Sequence, residues 1–454
     1  MPSAETQSGS ALRLFRWLTP GMQLKRWLFI AFIGAFFLLD GVDRILNNRG
    51  YNFHVNQTID RLAPSGLATS ALEWMFIVIG VALVYYGLRQ WMRSIVHAVS
   101  PEDGQRLIEV IYERRQLNRG GYRVVAIGGG TGLSTLLRGL KQYTPNLTAV
   151  VTVTDDGGSS GRLRTELGLP PPGDIRNCLV ALADSESMMT DLFQYRFNEG
   201  DALGGHSFGN LFIAAMCGIA GDFDRAVKES SRVLAIKGRV LPATLENVAL
   251  EATLADGQVV RGETSVSRSN SPIKSVRLVP AHCEPLPEVI EAIEQADLVV
   301  FGPGSLYTSI MPNVMVAGVA EALERSQAVK VYVCNIMTQP GETDGMSASD
   351  HVRALIDGTG RRLFDYALFN VEQPKRLRKM YEVEGAHQVA PDFEAVRALG
   401  VTPLAGNFLS ENQLVRHDPE KLTQAIVKLM VERGDWGAGP LLRQPAPRKP
   451  AARV

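Results

Sequence analysis

The 454-residue sequence predicts an α/β fold built on an open, mostly parallel sheet. The first reason is a strand–turn–helix–strand unit, in which apolar runs at 124–127 and 147–153 flank a glycine-rich turn and an amphipathic run. The second is that four apolar runs end in polar, glycine-bearing turns, which is typical of a sheet that binds a ligand at its carboxyl edge. The third is an alternating segment, 248–279, which predicts a small antiparallel insertion.

The composition narrows the classes of protein to consider. Hydrophobic residues make up 45% of the chain, enough for one large core with additions. The formal net charge is zero, so no overall positive field favours nucleic acid as a partner. The four cysteines form no C-x-x-C pair, and we expect them to be buried packing residues in a reducing compartment. The seven histidines show no H-E-x-x-H spacing, so the sequence does not indicate a zinc site.

Two apolar runs near the start, 27–39 and 67–88, predict a transmembrane hairpin over residues 27–90. Basic residues flank the pair on both outer sides, so the positive-inside rule places 1–26 and everything after the hairpin in the cytoplasm. These flanking residues are Arg13, Arg16, Lys25, Arg26, Arg89 and Arg93. The alternatives are two buried helices of a soluble domain and a cleaved signal peptide. A helical connector over 91–121 then leads to the main domain, 122–430, and we expect a disordered tail over 431–454.

The first predicted ligand-binding turn follows the strand at 124–127 and begins a helix. Glycines there let backbone N–H groups approach a phosphate, and the helix N-terminus adds the positive end of its dipole. The residues of this turn are Gly128, Gly129, Gly130, Thr131 and Gly132. A dinucleotide fingerprint requires a third glycine where Leu133 stands, so an NAD(P)-dependent oxidoreductase ranks last among the functions considered.

The second predicted turn follows the strand at 147–153 and contains Asp155, Asp156, Ser159 and Ser160. Its acidic pair lies about 25 residues beyond the glycine turn, near the place of a ribose-binding carboxylate in dinucleotide folds. Because both turns follow adjacent strands, we expect them to share one edge of the sheet.

Two further polar segments precede predicted helices. In the first, Asp174 is either only a helix N-cap or, with Arg176 and Asn177, part of the phosphate site. We expect its helix to continue as far as Met188. The second segment contains His206, Ser207 and Asn210 beside three glycines, which indicates a ligand-facing turn, although a lone histidine is often purely structural. No G-x-S-x-G elbow is present, so we do not expect Ser207 to be a hydrolase nucleophile.

The sheet resumes with a strand at 296–301. The turn after it is dense in small polar residues that can donate hydrogen bonds to phosphate or sugar oxygens: Gly302, Gly304, Ser305, Tyr307 and Thr308. A strand at 330–334 leads to another such turn, and a further strand lies at 364–370. Downstream, Tyr381 could stack on a base and Arg416 could bind a diphosphate, although solvated charge is the simpler interpretation of this basic region. The recognisable pattern ends near Asp418.

These turns together resemble the gluconeogenesis-factor (YvcK-like) family within the CofD superfamily, over about two-thirds of the chain (122–428). The resemblance depends on six motifs: GGGTGLSTLLRGLK (128–141), TDDGGSSGRLR (154–164), PPGDIRNCL (171–179), GHSFGNL (205–211), FGPGSLYTSI (301–310) and MTQPGETDG (337–345). It implies a Rossmann-like fold and a domain that binds the nucleotide sugar UDP-N-acetylglucosamine. It also implies an effect on cell-wall growth and cell shape under gluconeogenic conditions.

The resemblance also implies roles for individual residues. The turn 129–132 would meet the diphosphate, Asp155 and Asp156 would face metal-side or sugar-side groups, and Tyr381 and Arg416 would belong to the uridine-nucleotide pocket. The related CofD enzymes transfer a phospholactyl-type group from a guanylyl diphosphate donor, with paired aspartates on a divalent metal. Mg²⁺ is therefore the one cofactor to consider. The sequence GGSSGRLR beside the aspartates follows the pattern of the regulators rather than that of the enzymes.

The sequence therefore predicts a membrane-tethered, cytoplasmic UDP-sugar-binding regulator, with a Mg²⁺-dependent CofD-type transferase as the alternative. In the alternative, Asp155 and Asp156 would be the catalytic, metal-binding residues. We expect the lipid bilayer and an unidentified envelope-synthesis protein as partners. Self-association stays open.

Overall fold

A computed structural model of the chain describes residues 24–48, 69–99, 121–183, 187–200, 203–269 and 271–433. It divides into two compact units, Met1–Glu113 and Arg114–Val454. The greater part of the predicted connector, 100–120, and residues 434–454 of the predicted tail lie outside the described residues.

The first unit contains two long helices, α1 (Leu24–Asn48) and α2 (Thr69–Val99), which pack against each other. Glycines make this contact close: a Cβ atom on Gly80 would lie 2.7 Å from the backbone N of Leu38, and one on Gly34 would lie 2.6 Å from the backbone N of Val84. Backbones that approach this closely leave no room for larger side chains between them. The apolar side chains on the outside of the pair are therefore left exposed.

The prediction of two transmembrane helices is not confirmed. Among the described residues of this unit, one segment, Trp74–Trp91 in α2, is long and apolar enough to cross a membrane by length and composition. Helix α1 does not reach the same threshold, because its apolar run ends at Asp40 and charged residues follow. A bent helix pair, Leu306–Val314 with Val319–Arg325, also passes the hydropathy test, but its residues are largely buried in the core of the second unit.

The described residues of the second unit form twelve strands. They are β1 (Val124–Gly128), β2 (Leu147–Val151), β3 (Arg239–Pro242), β4 (Ala249–Leu254), β5 (Val259–Arg261), β6 (Ile273–Val279), β7 (Leu298–Phe301), β8 (Val329–Val333), β9 (Tyr366–Asn370), β10 (Thr402–Gly406), β11 (Leu409–Glu411) and β12 (Val415–His417). Seven form one parallel sheet in the order β10-β9-β8-β7-β1-β2-β3. The predicted parallel sheet is confirmed. The predicted antiparallel insertion is the sheet β5-β4-β6, and β11 and β12 form a separate hairpin.

Helices cover both faces of the large sheet. They are α3 (Gly130–Leu140), α4 (Gly158–Leu167), α5 (Gly173–Leu182), α6 (Ser187–Gln194), α7 (Phe208–Ala220), α8 (Phe223–Val233), α9 (Glu263–Ser267), α10 (Pro287–Gln295), α11 (Met311–Val314), α12 (Val319–Arg325), α13 (Ala348–Thr359), α14 (Arg378–Val383), α15 (Phe393–Ala398) and α16 (Pro419–Glu432), with a π-helical turn at Leu306–Ile310. Successive residues of β1 show why two layers are needed. Val125 and Ile127 belong to one buried cluster, whereas Val124 and Ala126 belong to another on the opposite face.

Three expectations for these elements need correction. Helix α5 ends at Leu182 and does not continue to Met188, because Ala183 leaves the helix to form a β-bridge with Ile236. The segment after the paired aspartates is not only a turn, since it contains helix α4. The ordered pattern also continues beyond Asp418, whose side chain caps helix α16 by accepting the amides of Glu420 and Lys421. As predicted, all four cysteines are buried, and none forms a disulfide.

Candidate functional site

The glycine turn lies directly against the turn that follows β7. A Cβ atom on Gly132 would lie only 2.4 Å from the carbonyl O of Pro303, so only glycine allows this approach of the two backbones. Gly130 has a φ of 63°, in the left-handed region that favours glycine. The buried side chain of Asn313 links the two turns: its Nδ2 donates to the carbonyls of Gly128 at 3.0 Å and Ser309 at 2.7 Å. Sequence analysis missed Asn313, which lies in no recognisable motif.

Asp174 is the second component of this site. Helix α5 begins at Gly173, so Asp174 lies in the first turn and is not the N-cap. Its carboxylate accepts the amide of Gly130, and a Cβ atom on Gly129 would lie 2.5 Å from its Oδ2. Burial, with the nearby charge of Asp155 as a smaller cause, raises the pKa of Asp174 to about 7. The structure therefore places Asp174 against the glycine turn, so it is more than a helix N-cap.

This raised pKa predicts how stability changes with pH. Between the ordinary pKa of an aspartate and about 7, the folded state holds the Asp174 proton that the unfolded chain has lost. Stability therefore falls as pH rises through this window, by about 4 kcal/mol from this group alone. An Asp174→Asn chain should lose less stability between pH 5 and pH 8 in urea unfolding than the wild type. Equal losses in the two chains would contradict the assignment. Because the charge of Asp174 also helps to raise the pKa of Glu263, the difference between the chains reports the two coupled carboxyls together.

The two consecutive aspartates point to different partners. Asp155 Oδ1 accepts the amide of Gly157 at 2.8 Å, which is a local turn contact. Asp156 Oδ1 accepts both the amide and the hydroxyl of Thr264, at 2.9 and 2.7 Å, and so fastens helix α9 of the antiparallel insertion. Across the described ranges, no group of three His, Cys, Asp or Glu side chains could hold a metal ion. Asp155 and Asp156 therefore accept hydrogen bonds from different segments, and their role as a metal-binding pair stays a prediction.

A buried polar network joins the second turn to the His-Ser segment. The Ser159 hydroxyl lies 2.9 Å from His206 Nδ1 and accepts Asn210 Nδ2 at 3.1 Å. Burial and, next, the charge of Arg162 lower the pKa of His206, which favours a neutral imidazole. Ser160 is also buried, and its hydroxyl packs against Gly173. The histidine is satisfied within the protein, but it joins residues from two of the predicted turns.

Arg176 extends the same network from helix α5. Its Nη1 donates to Ser207 Oγ at 2.5 Å and to Asn210 Oδ1 at 3.1 Å, and its Nη2 donates to Asn177 Oδ1 at 2.8 Å. The structure therefore brings together the residues predicted from three separate segments. The Nη atoms of Arg176 therefore hold this network together, whereas its buried Nε has no hydrogen-bond partner among the described residues.

The turn after β7 contributes some of its predicted residues. Ser305 Oγ accepts Gln339 Nε2 at 2.8 Å, and Thr308 Oγ1 donates to Glu342 Oε1 at 3.1 Å. Gly302, with a φ of 79°, and Gly304 give the turn its shape. Tyr307 does not join the others, because its side chain lines a different cavity, between β6 and α13.

Two buried glutamates border the site and were not predicted. Burial raises the pKa of Glu263 and of Glu342, and the charge of Asp155 adds to the shift at Glu263. The Oε2 atom of each has no hydrogen-bond partner among the described residues. Glu342 lies in the predicted turn after β8, within the motif MTQPGETDG, but its carboxylate was not singled out. Glu263 carries no sequence signal, because the antiparallel insertion approaches the glycine turn only in the fold.

The residues predicted farthest along the chain come together on the β11–β12 hairpin. The Tyr381 hydroxyl accepts the amide of Val415 at 3.1 Å, which places it next to Arg416. Arg416 is exposed and lies near Arg138 of helix α3, since burial and then the charge of Arg416 lower the pKa of Arg138. Neither guanidinium forms an ion pair within the described part of the chain. Two uncompensated cations beside an aromatic ring are suited to an anionic ligand.

Comparisons with known proteins agree with this fold. The family model described as "2-phospho-L-lactate transferase CofD" matches residues 124–409. A putative gluconeogenesis factor from Nostoc is 46% identical over 91% of this chain and 92% of its own length. The gluconeogenesis factor of Bacillus subtilis is 49% identical over 68% of this chain and 98% of its own length.

A solved structure of a similar protein has the same fold as the second unit. The crystal structure of a UPF0052 family protein from Bacillus halodurans is 48% identical, with a TM-score of 0.65, over 67% of this chain and 99% of that protein. The match to the Nostoc protein is longer and must extend into the residues before Tyr122. The parallel sheet, its glycine-bearing turns and these similarities show that the chain belongs to the gluconeogenesis factor family, within the CofD group.

Proposed function

We propose that the second unit binds a nucleotide sugar of the UDP-N-acetylglucosamine type and regulates cell-wall growth in response to carbon metabolism. The observation that carries this proposal is the Arg138–Arg416 pair beside Tyr381. Both cations lack carboxylate partners among the described residues, and a diphosphate would supply the missing negative charge. The relatives are named gluconeogenesis factors, which supports a role in carbon metabolism.

The binding pose follows from the charge distribution. Around Asp174 the site is acidic, with Asp155 and Glu263 nearby, and acidic groups disfavour a diphosphate. The arginine pair lies on α3 and the β11–β12 hairpin, where a diphosphate meets two positive charges. We therefore place the diphosphate towards the arginines, the base against Tyr381, and the sugar hydroxyls towards the polar turns. Sugar hydroxyls can donate hydrogen bonds to carboxylates, so this orientation uses the acidic side of the site.

Regulation rather than group transfer is favoured by the contacts of the paired aspartates. A CofD-type transfer requires both carboxylates on a divalent metal, whereas Asp156 accepts two hydrogen bonds from Thr264. Purified protein should therefore return UDP-N-acetylglucosamine and a guanylyl diphosphate donor unchanged after incubation with Mg²⁺. Chromatographic detection of a transferred product, lost on Asp156→Asn substitution, would replace the regulator with the transferase. The signal would reach the envelope through a protein partner.

We also propose that the first unit tethers the protein to the membrane. Large apolar side chains lie on the outside of the α1–α2 pair, with Phe32 73% and Tyr85 66% exposed. Contiguous exposed apolar surface of this kind is costly in water and favourable in lipid. The full chain should therefore stay in the membrane fraction after an alkaline carbonate wash, and a chain that begins at Arg119 should be soluble. Release of the full chain by carbonate would contradict the tether.

A further inference from the structure

A cavity of about 440 Å³ lies between strand β6, helix α13 and the π-helical turn at Leu306–Ile310. None of its lining residues comes from the glycine turn, the aspartate turn or the His-Ser segment, and only Tyr307 was predicted as a ligand-binding residue. The cavity is therefore separate from the place proposed for the nucleotide. Its volume is within the range of pockets that bind small molecules.

The lining combines an apolar part with a mainly acidic polar part. Ile273 and Met311 belong to the apolar part. The ionisable side chains are four acids and two bases: Glu342, Asp344, Asp350, Asp357, Lys274 and Arg353. Arg353 is paired with Asp350 at 3.0 Å. The remaining acids outnumber the remaining base, so the cavity is suited to a cation that also carries a hydrocarbon segment.

One polar atom of the lining lacks a partner. The Oε2 atom of Glu342 is buried and accepts no hydrogen bond from a described residue, and Glu342 as a whole is only 5% exposed. A buried carboxylate oxygen without a donor is costly, and a ligand that brings N–H groups would remove this cost. Asp357, exposed on helix α13, forms no ion pair with a described residue and adds a second free carboxylate.

Glu342 also connects the cavity to the candidate site. Its other oxygen, Oε1, accepts the hydroxyls of Thr308 and Ser267, each at 3.1 Å. Thr308 and Tyr307 are neighbours on the π-helical turn, a type of local distortion that is frequent at functional sites. One carboxylate and one short helical turn therefore border both places.

We propose that this cavity is a second ligand site, which binds a small organic ammonium compound through Glu342, Asp357 and the Tyr307 ring and hydroxyl. An ammonium group supplies three N–H donors and a positive charge, and an aromatic ring attracts such a cation. The hydrocarbon segment of the ligand packs on Ile273 and Met311. Both a diamine and an amino acid carry this ammonium chemistry. The uncommitted Lys274 would favour an amino acid, because it can bind the carboxylate.

Calorimetric titration of the full chain, in mild detergent, tests this assignment. The probes are putrescine, its neutral counterpart butanediol, and ornithine, which adds a carboxylate to the same skeleton. Putrescine or ornithine should bind and butanediol should not, and tighter binding of ornithine would identify the amino acid as the better ligand. Glu342→Gln should weaken binding by at least about tenfold. Because Glu342 also contacts Thr308, Asp357→Asn is the second variant, and it should weaken binding several-fold without a change in unfolding.

Asp191→Asn serves as the control, because Asp191 is an exposed carboxylate on helix α6 that does not line the cavity. Its affinity should equal that of the wild type. The assignment would be overturned if no amine bound, if butanediol bound as well as putrescine, or if Glu342→Gln and Asp357→Asn both left the affinity unchanged. These results are independent of nucleotide binding, since no nucleotide is present in the titration.

Discussion

Replacing Gly132 with alanine is expected to abolish ligand binding and to destabilise the second unit by about 3 kcal/mol. The added Cβ atom would lie 2.4 Å from the carbonyl O of Pro303 and 3.1 Å from the Cα of Gly304. All of these neighbours are backbone atoms, so relief requires one of the two turns to move. Such a movement would separate the glycine turn from the turn after β7. Urea unfolding and nucleotide titration of the same variant measure the two effects.

Gly218 provides the matched control for this substitution. It also lies in a helix, α7, but a Cβ atom there would meet no other heavy atom within 4 Å. Gly218→Ala should therefore stabilise the protein slightly, by up to about 1 kcal/mol, because alanine is the better helix former. If the Gly132→Ala protein matched the wild type in both its free energy of unfolding and its ligand affinity, the two turns would not depend on their backbone contact.

Replacing Arg416 with alanine is expected to weaken UDP-N-acetylglucosamine binding by about tenfold to a hundredfold, the usual range for losing a charge-assisted hydrogen bond. The free energy of unfolding should not fall, because Arg416 is exposed and its positive charge repels that of Arg138. A loss of binding with unchanged unfolding distinguishes a ligand contact from a structural role. Arg138→Ala should show the same pattern, since the proposed pose places the diphosphate beside both guanidinium groups.

Arg225, on helix α8, is a suitable control for the arginine substitutions. It is exposed, and its side chain makes no ion pair with a described residue. Arg225→Ala removes the same charge from the protein without touching the candidate site, so nucleotide affinity should be preserved. Equal losses in Arg225→Ala and Arg416→Ala would indicate a general effect of net charge and would contradict the specific role of Arg416.

The parts of the fold that depend on local sequence could be predicted. Strands β1 and β2 are short apolar runs, and the glycine turn between them is marked by its composition, so this unit was predicted almost to the residue. Helix α4 was missed because it has few apolar residues and no clear amphipathic pattern. The signal for helix α16 was present, since Asp418 and Pro419 form a typical N-cap and first helical residue.

The candidate site could be predicted only as a set of turns. The segments that contain Ser159 and Asn210 were predicted separately, but nothing local shows that their side chains meet. The role of Asp156 could not be predicted, because its partner Thr264 lies in the antiparallel insertion, at a sequence separation of 108 residues. The placement of the Tyr307 side chain could not be predicted for a related reason. Its neighbours in the motif face the candidate site, whereas its own side chain lines a separate cavity.

The measurement that tests the central claim most directly is a calorimetric titration of the fragment from Arg119 onward. This fragment should fold alone, because the Bacillus halodurans protein matches it over 99% of its own chain. UDP-N-acetylglucosamine, GDP and NAD are titrated in parallel, each with and without Mg²⁺. Our account predicts tight binding of the UDP-sugar, little affected by Mg²⁺, and weak or no binding of the other two. Preferential binding of GDP with a requirement for Mg²⁺ would contradict it.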